Sequence, residues 1–127
     1  MPLFTHIVVG TNDPDKAAAF YDAALGALGL EGEQRGPLRF YRRDGNAFVV
    51  GPPRNGEPAS FANGGTISFF AETKSAVDAF HAGGCASGGT CEGPPGRRPN
   101  APNNAYGAYL RDPDGNKICA FTFEPDA

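Results

Sequence analysis

Long apolar runs are missing from this chain. None nears the roughly 18 residues that a membrane-crossing helix needs, which excludes a helical membrane span. A basic patch is missing too. The net charge is −3 and spread along the chain, which excludes nucleic acid as a partner. Residues 1–6 lack a charged start and a long apolar stretch, so no secretory signal is expected there. Cysteine is scarce and odd in number: Cys85, Cys91 and Cys119. Together these features predict reduced thiols and a cytoplasmic location. Cys85 and Cys91 stand six apart, which fits no zinc-ribbon spacing, so both are read as ordinary small residues. What is present is enough for a core. The chain has 127 residues, 40% of them hydrophobic; it holds 18 glycines and 12 prolines, and their excess clusters in two stretches.

The chain repeats itself. Thr5-His6-Ile7-Val8-Val9 matches Gly65-Thr66-Ile67-Ser68-Phe69 at an offset of 60, and so does Ala17-Ala18-Ala19-Phe20-Tyr21 with Val77-Asp78-Ala79-Phe80-His81. Asp44-Gly45-Asn46 matches Asp114-Gly115-Asn116 at an offset of 70. Matches in one order imply two copies of a supersecondary unit, with the extra residues in the Gly/Pro/Asn-rich run 93–104.

Each copy reads alike. A strand opens it, at 5–10 and 65–72. A helix follows. Asp13-Pro14 places a capping Asp before a Pro at the first helical position, and Thr73 caps the second helix. Phe20, Tyr21, Ala24 and Leu25, then Val77, Phe80 and His81, recur at helical spacing. Strands at 37–43 and 46–51 flank Asp44-Gly45, and strands at 105–111 and 116–123 flank Asp112-Pro113-Asp114-Gly115. Asp-Gly suits a hairpin because glycine adopts positive φ at low cost. Further strands are expected near 31–35 and 90–92. Residues 51–65 read as a linker and 93–104 as a long loop.

This repeat resembles the vicinal oxygen chelate superfamily (glyoxalase/bleomycin-resistance protein/dioxygenase-like). The likeness rests on His6 in the first strand, the helix 17–21, and Asp112-Pro113-Asp114-Gly115-Asn116 before the last strand. It implies an α+β fold with paired βαβββ modules, about 4–51 and 65–123, in a single domain over 1–127. The modules would form a half-open cup.

Strand parity assigns the cup. Ile7, Val9, Ile67 and Phe69 are expected to face the helices, with Leu110, Ile118 and Ala120. His6, Val8, Thr66, Ser68 and Phe70 then face the cup, with Tyr109, Arg111, Lys117 and Cys119. The repeat extends this to Arg39 and Tyr41. The ligand-binding candidates are His6, Arg39, Thr66, Ser68, Tyr109, Lys117 and Cys119; no catalytic role is assigned. Tyr109 offers an apolar ring with a polar tip. Arg39 and Arg111 suit an anionic group, though Arg111 reads more readily as a solvated strand end. Lys117 shares a face with Cys119 and could lower its pKa.

The resemblance also implies four metal-ligand positions: His6, Val49, Thr66 and Cys119. A catalytic divalent site needs about three protein ligands, and here only His6 and Cys119 are weak candidates, suited to Zn²⁺. No cofactor is expected. The expected activity is binding of a small polar or anionic molecule. The alternatives are a lyase of lactoylglutathione-lyase type acting on α-oxo or thiol-conjugated metabolites, and a metal-free protein that sequesters a drug. A homodimer is expected, because open sheets leave edges for a second chain to cover.

Overall fold

Asp13 and Thr73 start the two helices as their residue types require. The Asp13 carboxylate accepts from the Lys16 amide and Pro14 opens the first turn, while the Thr73 hydroxyl accepts from the Ala76 amide. These helices belong to a computed structural model that describes residues 3–126. Helix α1 (Pro14–Gly26) follows strand β1 (His6–Gly10) and precedes β2 (Gly32–Arg35), β3 (Leu38–Arg43) and β4 (Asn46–Gly51). The second module repeats the order with β5 (Ile67–Phe70), α2 (Lys74–Ala86), β6 (Thr90–Arg97), β7 (Tyr106–Arg111) and β8 (Lys117–Thr122). The fold is α+β, with two open four-stranded sheets ordered β1-β4-β3-β2 and β5-β8-β7-β6. Each opening strand pairs parallel to the last strand of its own module and occupies a sheet edge.

The two modules join through their helix sides. Helix α1 packs on α2. One continuous core holds Phe20, Tyr21 and Leu25 from the first module and Phe80, Leu110 and Ile118 from the second. Each is buried, and each such side chain contributes about 1.5–3 kcal/mol of burial. Phe48 of one sheet meets Phe69 of the other edge-to-face at 5.2 Å between ring centroids. Gly84 and Gly89 let Phe20 approach, since a Cβ at either would lie 3.1 Å or less from its ring. The Tyr21 hydroxyl donates to Asp112 at 2.6 Å, and the Asn116 side-chain amide donates to the Gly10 carbonyl at 3.1 Å. Asp112 therefore closes its own turn, accepting from the Asp114 and Asn116 amides, while holding the other module.

Two expectations need correction. The first is parity in β3. Val49 maps onto Cys119 at an offset of 70, but their partners Phe40 and Tyr109 map at 69. The β3–β4 hairpin turns tightly on Asp44 and Gly45, both at positive φ, whereas the β7–β8 connection is longer. Crossing turns of unequal length slips the repeat by one, and a slip of one reverses the face. Arg39 and Tyr41 thus lie on the helix side. Leu38, Phe40 and Arg42 take the outer face. The second concerns 93–104. Strand β6 runs through Pro94 and Pro95 to Arg97, instead of giving way to loop at Gly93. It is an edge strand, and its pairing with β7 shifts register between Cys91 and Gly93 and again between Gly93 and Gly96. An irregular edge tolerates prolines that a central strand would exclude.

Candidate functional site

The face of each sheet turned away from its helix carries most of the candidate residues. On module 1 this outer face shows His6 and Val8 from β1, Val49 from β4, and Leu38 and Phe40 from β3. Val8 is 57% exposed, whereas Val49 is buried. The His6 ring is exposed and its Nδ1 lies 3.0 Å from the Thr5 hydroxyl. The linker's Pro52, Pro53 and Pro58 wall this face, enclosing with it a cavity of about 580 Å³. Thr11 and Asn12 hold the linker there. The Thr11 amide donates to the Gly51 carbonyl, and Asn12 exchanges two hydrogen bonds with Ala59.

On module 2 the outer face sets polar groups beside the aromatic rings of Phe70 and Phe121. Ser68 pairs with Cys119 across β5 and β8, and Tyr109 pairs with Cys119 across β7 and β8. Burial pushes the Cys119 thiol up from its ordinary value, opposed by a Ser68 hydrogen bond and by the charges of Lys117 and Arg98. The Lys117 ammonium stands 5.2 Å from the Tyr109 ring centroid, and the Arg98 guanidinium stands 5.7 Å from it. Burial also raises the Tyr109 phenol. Phe121 supports the same ring edge-to-face at 5.7 Å. Thr66 precedes β5 and is exposed.

The structure therefore gathers Ser68, Tyr109, Lys117 and Cys119 on one face. It leaves His6 on the other sheet and Thr66 at the strand's start. Arg39 goes elsewhere: its guanidinium binds both carboxylate oxygens of Asp22 on α1, at 2.9 and 2.8 Å, beside the Tyr41 hydroxyl. Arg111 faces outward but pairs with Glu92 at 3.0 Å and lies over Phe61. Sequence reasoning missed Arg98. Its neighbour Arg97, the last residue of β6, turns to the helix side and bonds Asp126, while Arg98 follows the strand and its guanidinium folds back to the Pro94 and Gly96 carbonyls. The signal needed was that 93–97 is strand.

The family model for the glyoxalase/bleomycin resistance protein/dioxygenase superfamily matches residues 3–120. The chain belongs to this superfamily. A glyoxalase/bleomycin resistance protein from Albidiferax ferrireducens T118 is similar at 48% identity and a TM-score of 0.88, over 98% of this chain and 100% of that one. A lactoylglutathione lyase from Agrobacterium tumefaciens is similar at 25% identity and a TM-score of 0.67, over 97% and 95%. A glyoxalase-related enzyme from Fulvimarina pelagi shares the fold at 19% identity and a TM-score of 0.77, over 96% and 88%. Among curated proteins none matches the chain.

The glyoxalase-family metal positions carry an imidazole, an aliphatic side chain, a hydroxyl and a thiol: His6, Val49, Thr66 and Cys119. As a donor set for a divalent ion this is a poor one. Val49 has nothing to donate, and a neutral hydroxyl is a poor ligand. Burial raises the thiol from its ordinary value, which disfavours the thiolate that a metal takes. No cluster of three His, Cys, Asp or Glu side chains suited to a metal occurs among the described residues. No helix among the described residues is long and apolar enough to cross a membrane.

Proposed function

We propose that this protein binds a small polar or anionic molecule at the outer faces of its sheets, without a divalent metal, as a cytoplasmic homodimer. The observation that carries the reading is the divided chemistry of the site. An apolar cavity lies on module 1, and a phenol, a hydroxyl, a thiol and two cations lie on module 2. Edge strands β1 and β5 present Val8 and Phe70, 57% and 59% exposed, and these favour cover by a second copy. A cup completed that way would bring one copy's apolar half to the other's polar half. Sequestration of a metabolite or drug needs no metal and tolerates the lost ligands.

A second reading is a lyase of lactoylglutathione-lyase type acting on α-oxo or thiol-conjugated metabolites. His6 favours it, standing at a family ligand position, as does the likeness to the Agrobacterium lyase. One calorimetric series decides between them. Metal-stripped protein, run as the dimer that sedimentation equilibrium is expected to report, is titrated with Zn²⁺, Ni²⁺ and Mn²⁺. No saturable binding is expected. Stoichiometric binding tighter than micromolar, lost in both His6→Ala and Cys119→Ala, would overturn the metal-free reading and favour the lyase. A monomer would overturn the shared cup.

A further inference from the structure

Most of the chain's cations are committed to carboxylates. Arg35 and Arg42 bind Glu33, Arg39 binds Asp22, Lys74 and Arg97 bind Asp126, and Arg111 binds Glu92. Of the rest, Lys16 and Arg54 are exposed, where water solvates them, and the Arg43 guanidinium donates to the Leu28 carbonyl at 2.7 Å. Arg98 and Lys117 differ. Both are half-buried, both stand at the Tyr109 ring, and neither has a carboxylate partner among the described residues. Each is a partly desolvated cation without a counter-charge, and an anion bound at the Tyr109 ring would supply one.

Arg98 is also held in place. Its guanidinium donates to the Pro94 carbonyl at 2.6 Å and to the Gly96 carbonyl at 3.0 Å. Those bonds use two of the five N–H groups that a guanidinium carries, and the others have no partner among the described residues. The backbone anchors it as well, since the Arg98 amide donates to the Ala105 carbonyl. Gly93 clears the space: a Cβ there would stand 3.2 Å from an Arg98 nitrogen and 3.3 Å from the Tyr109 ring. The irregular register of β6 thus folds the guanidinium back onto the outer face, with free donors and a fixed fork. Such a fork matches the paired oxygens of a carboxylate or phosphonate. Tyr109 and Phe121 supply an aromatic surface beside it, and the exposed Phe70 extends that face.

We propose that Arg98 and Lys117 form an oxyanion site on the outer face of module 2, for an organic anion whose apolar body lies against Tyr109 and Phe121. This rests on the ligand-binding reading above and adds to it the charge, the shape and the residues that recognise them.

The test uses the full chain labelled for NMR, titrated with benzoate, phenylphosphonate, benzamide and inorganic phosphate. Benzoate or phenylphosphonate is expected to shift the amide signals of Ser68, Tyr109 and Cys119. Neutral benzamide is expected to bind at least about tenfold more weakly, as is inorganic phosphate, which lacks the apolar body. Arg98→Gln and Lys117→Gln are each expected to weaken the organic anion about tenfold, whereas Lys16→Gln on α1 leaves it unchanged. Spectra of the free variants confirm that they fold. Should Arg98→Gln disturb the fold, Lys117→Gln alone carries the test. Benzamide binding as tightly as benzoate, or affinity unchanged in both variants, would overturn the site. So would phosphate matching benzoate, or no shifts at these amides with any compound. The metal titration and the sedimentation measurement are read independently, so either proposal can fail alone.

Discussion

At matched positions on the two outer faces, module 1 carries Val8 and module 2 Ser68. Ala47 matches Lys117, Val49 matches Cys119, and Phe40 matches Tyr109. In each pair the second module holds the polar group. On the helix side the matches are Ile7 with Ile67, Phe48 with Ile118, Tyr41 with Leu110, and Val50 with Ala120. There both members pack in the shared core. The duplicated unit has kept its inner face and changed its outer one. The reason is physical. A position in the shared core loses stability when it takes an unpartnered polar group, while a position on the outer face, where polar groups reach water or one another, changes at less cost.

The comparison breaks first where the halves share most. Phe20→Ala, in α1 but packed against Gly84 and Gly89 of the other module, is expected to cost about 3–5 kcal/mol. Both modules are expected to unfold in one transition. Urea denaturation followed by two reporters, one in each module, checks this. Two separate transitions would mean that the halves are independent.

A smaller effect isolates the latch between modules. Tyr21→Phe removes the donor to Asp112 and is expected to cost about 1.5–3 kcal/mol, as for hydrogen bonds to charged groups. Burial, then the Asp112 charge, holds the Tyr21 phenol well above its ordinary value. A folded-state value above the unfolded one gives stability that is complete below about pH 10, the unfolded phenol's range, and lost at higher pH. The difference between wild type and variant should therefore be flat at neutral pH and shrink in alkali. A difference that grew with pH would contradict the assignment.

The smallest effect sharpens the contrast between surfaces within module 2. Cys85 and Cys91 are exposed, and Cys119 is buried with its thiol pushed up. Iodoacetamide near neutral pH is expected to label the first two and to reach Cys119 at least about tenfold more slowly, because the Cys119 sulfur is buried from the reagent. Peptide mass mapping over time reads this. Rapid labelling of Cys119 would mark it as an activated thiol.

The sequence carried the repeat, both helix caps, the Asp-Gly turns and the parity of β1, β5, β7 and β8. Each of these depends on neighbours a few residues apart. What it did not carry depends on comparing unlike segments. The face of Arg39 was inferred across two turns of different length, and one residue of slip sent it to Asp22. Pro94 and Pro95 signal loop by composition. They sit in a strand because the partner on one side is absent and the register is broken. Arg98 followed that misreading, since a side chain assigned to a loop has no face. Among the candidates that share an outer face, Ser68, Tyr109, Lys117 and Cys119 were all legible from alternation alone.

The helix-side junction has one further consequence. Because Phe20, Tyr21, Phe80, Leu110 and Ile118 anchor both modules from within, the exposed residues of the outer faces answer to almost no folding constraint. On the binding reading proposed above, recognition and stability are written on opposite sides of the same strands. A few outward substitutions would then exchange one ligand for another, each nearly silent in a melting curve.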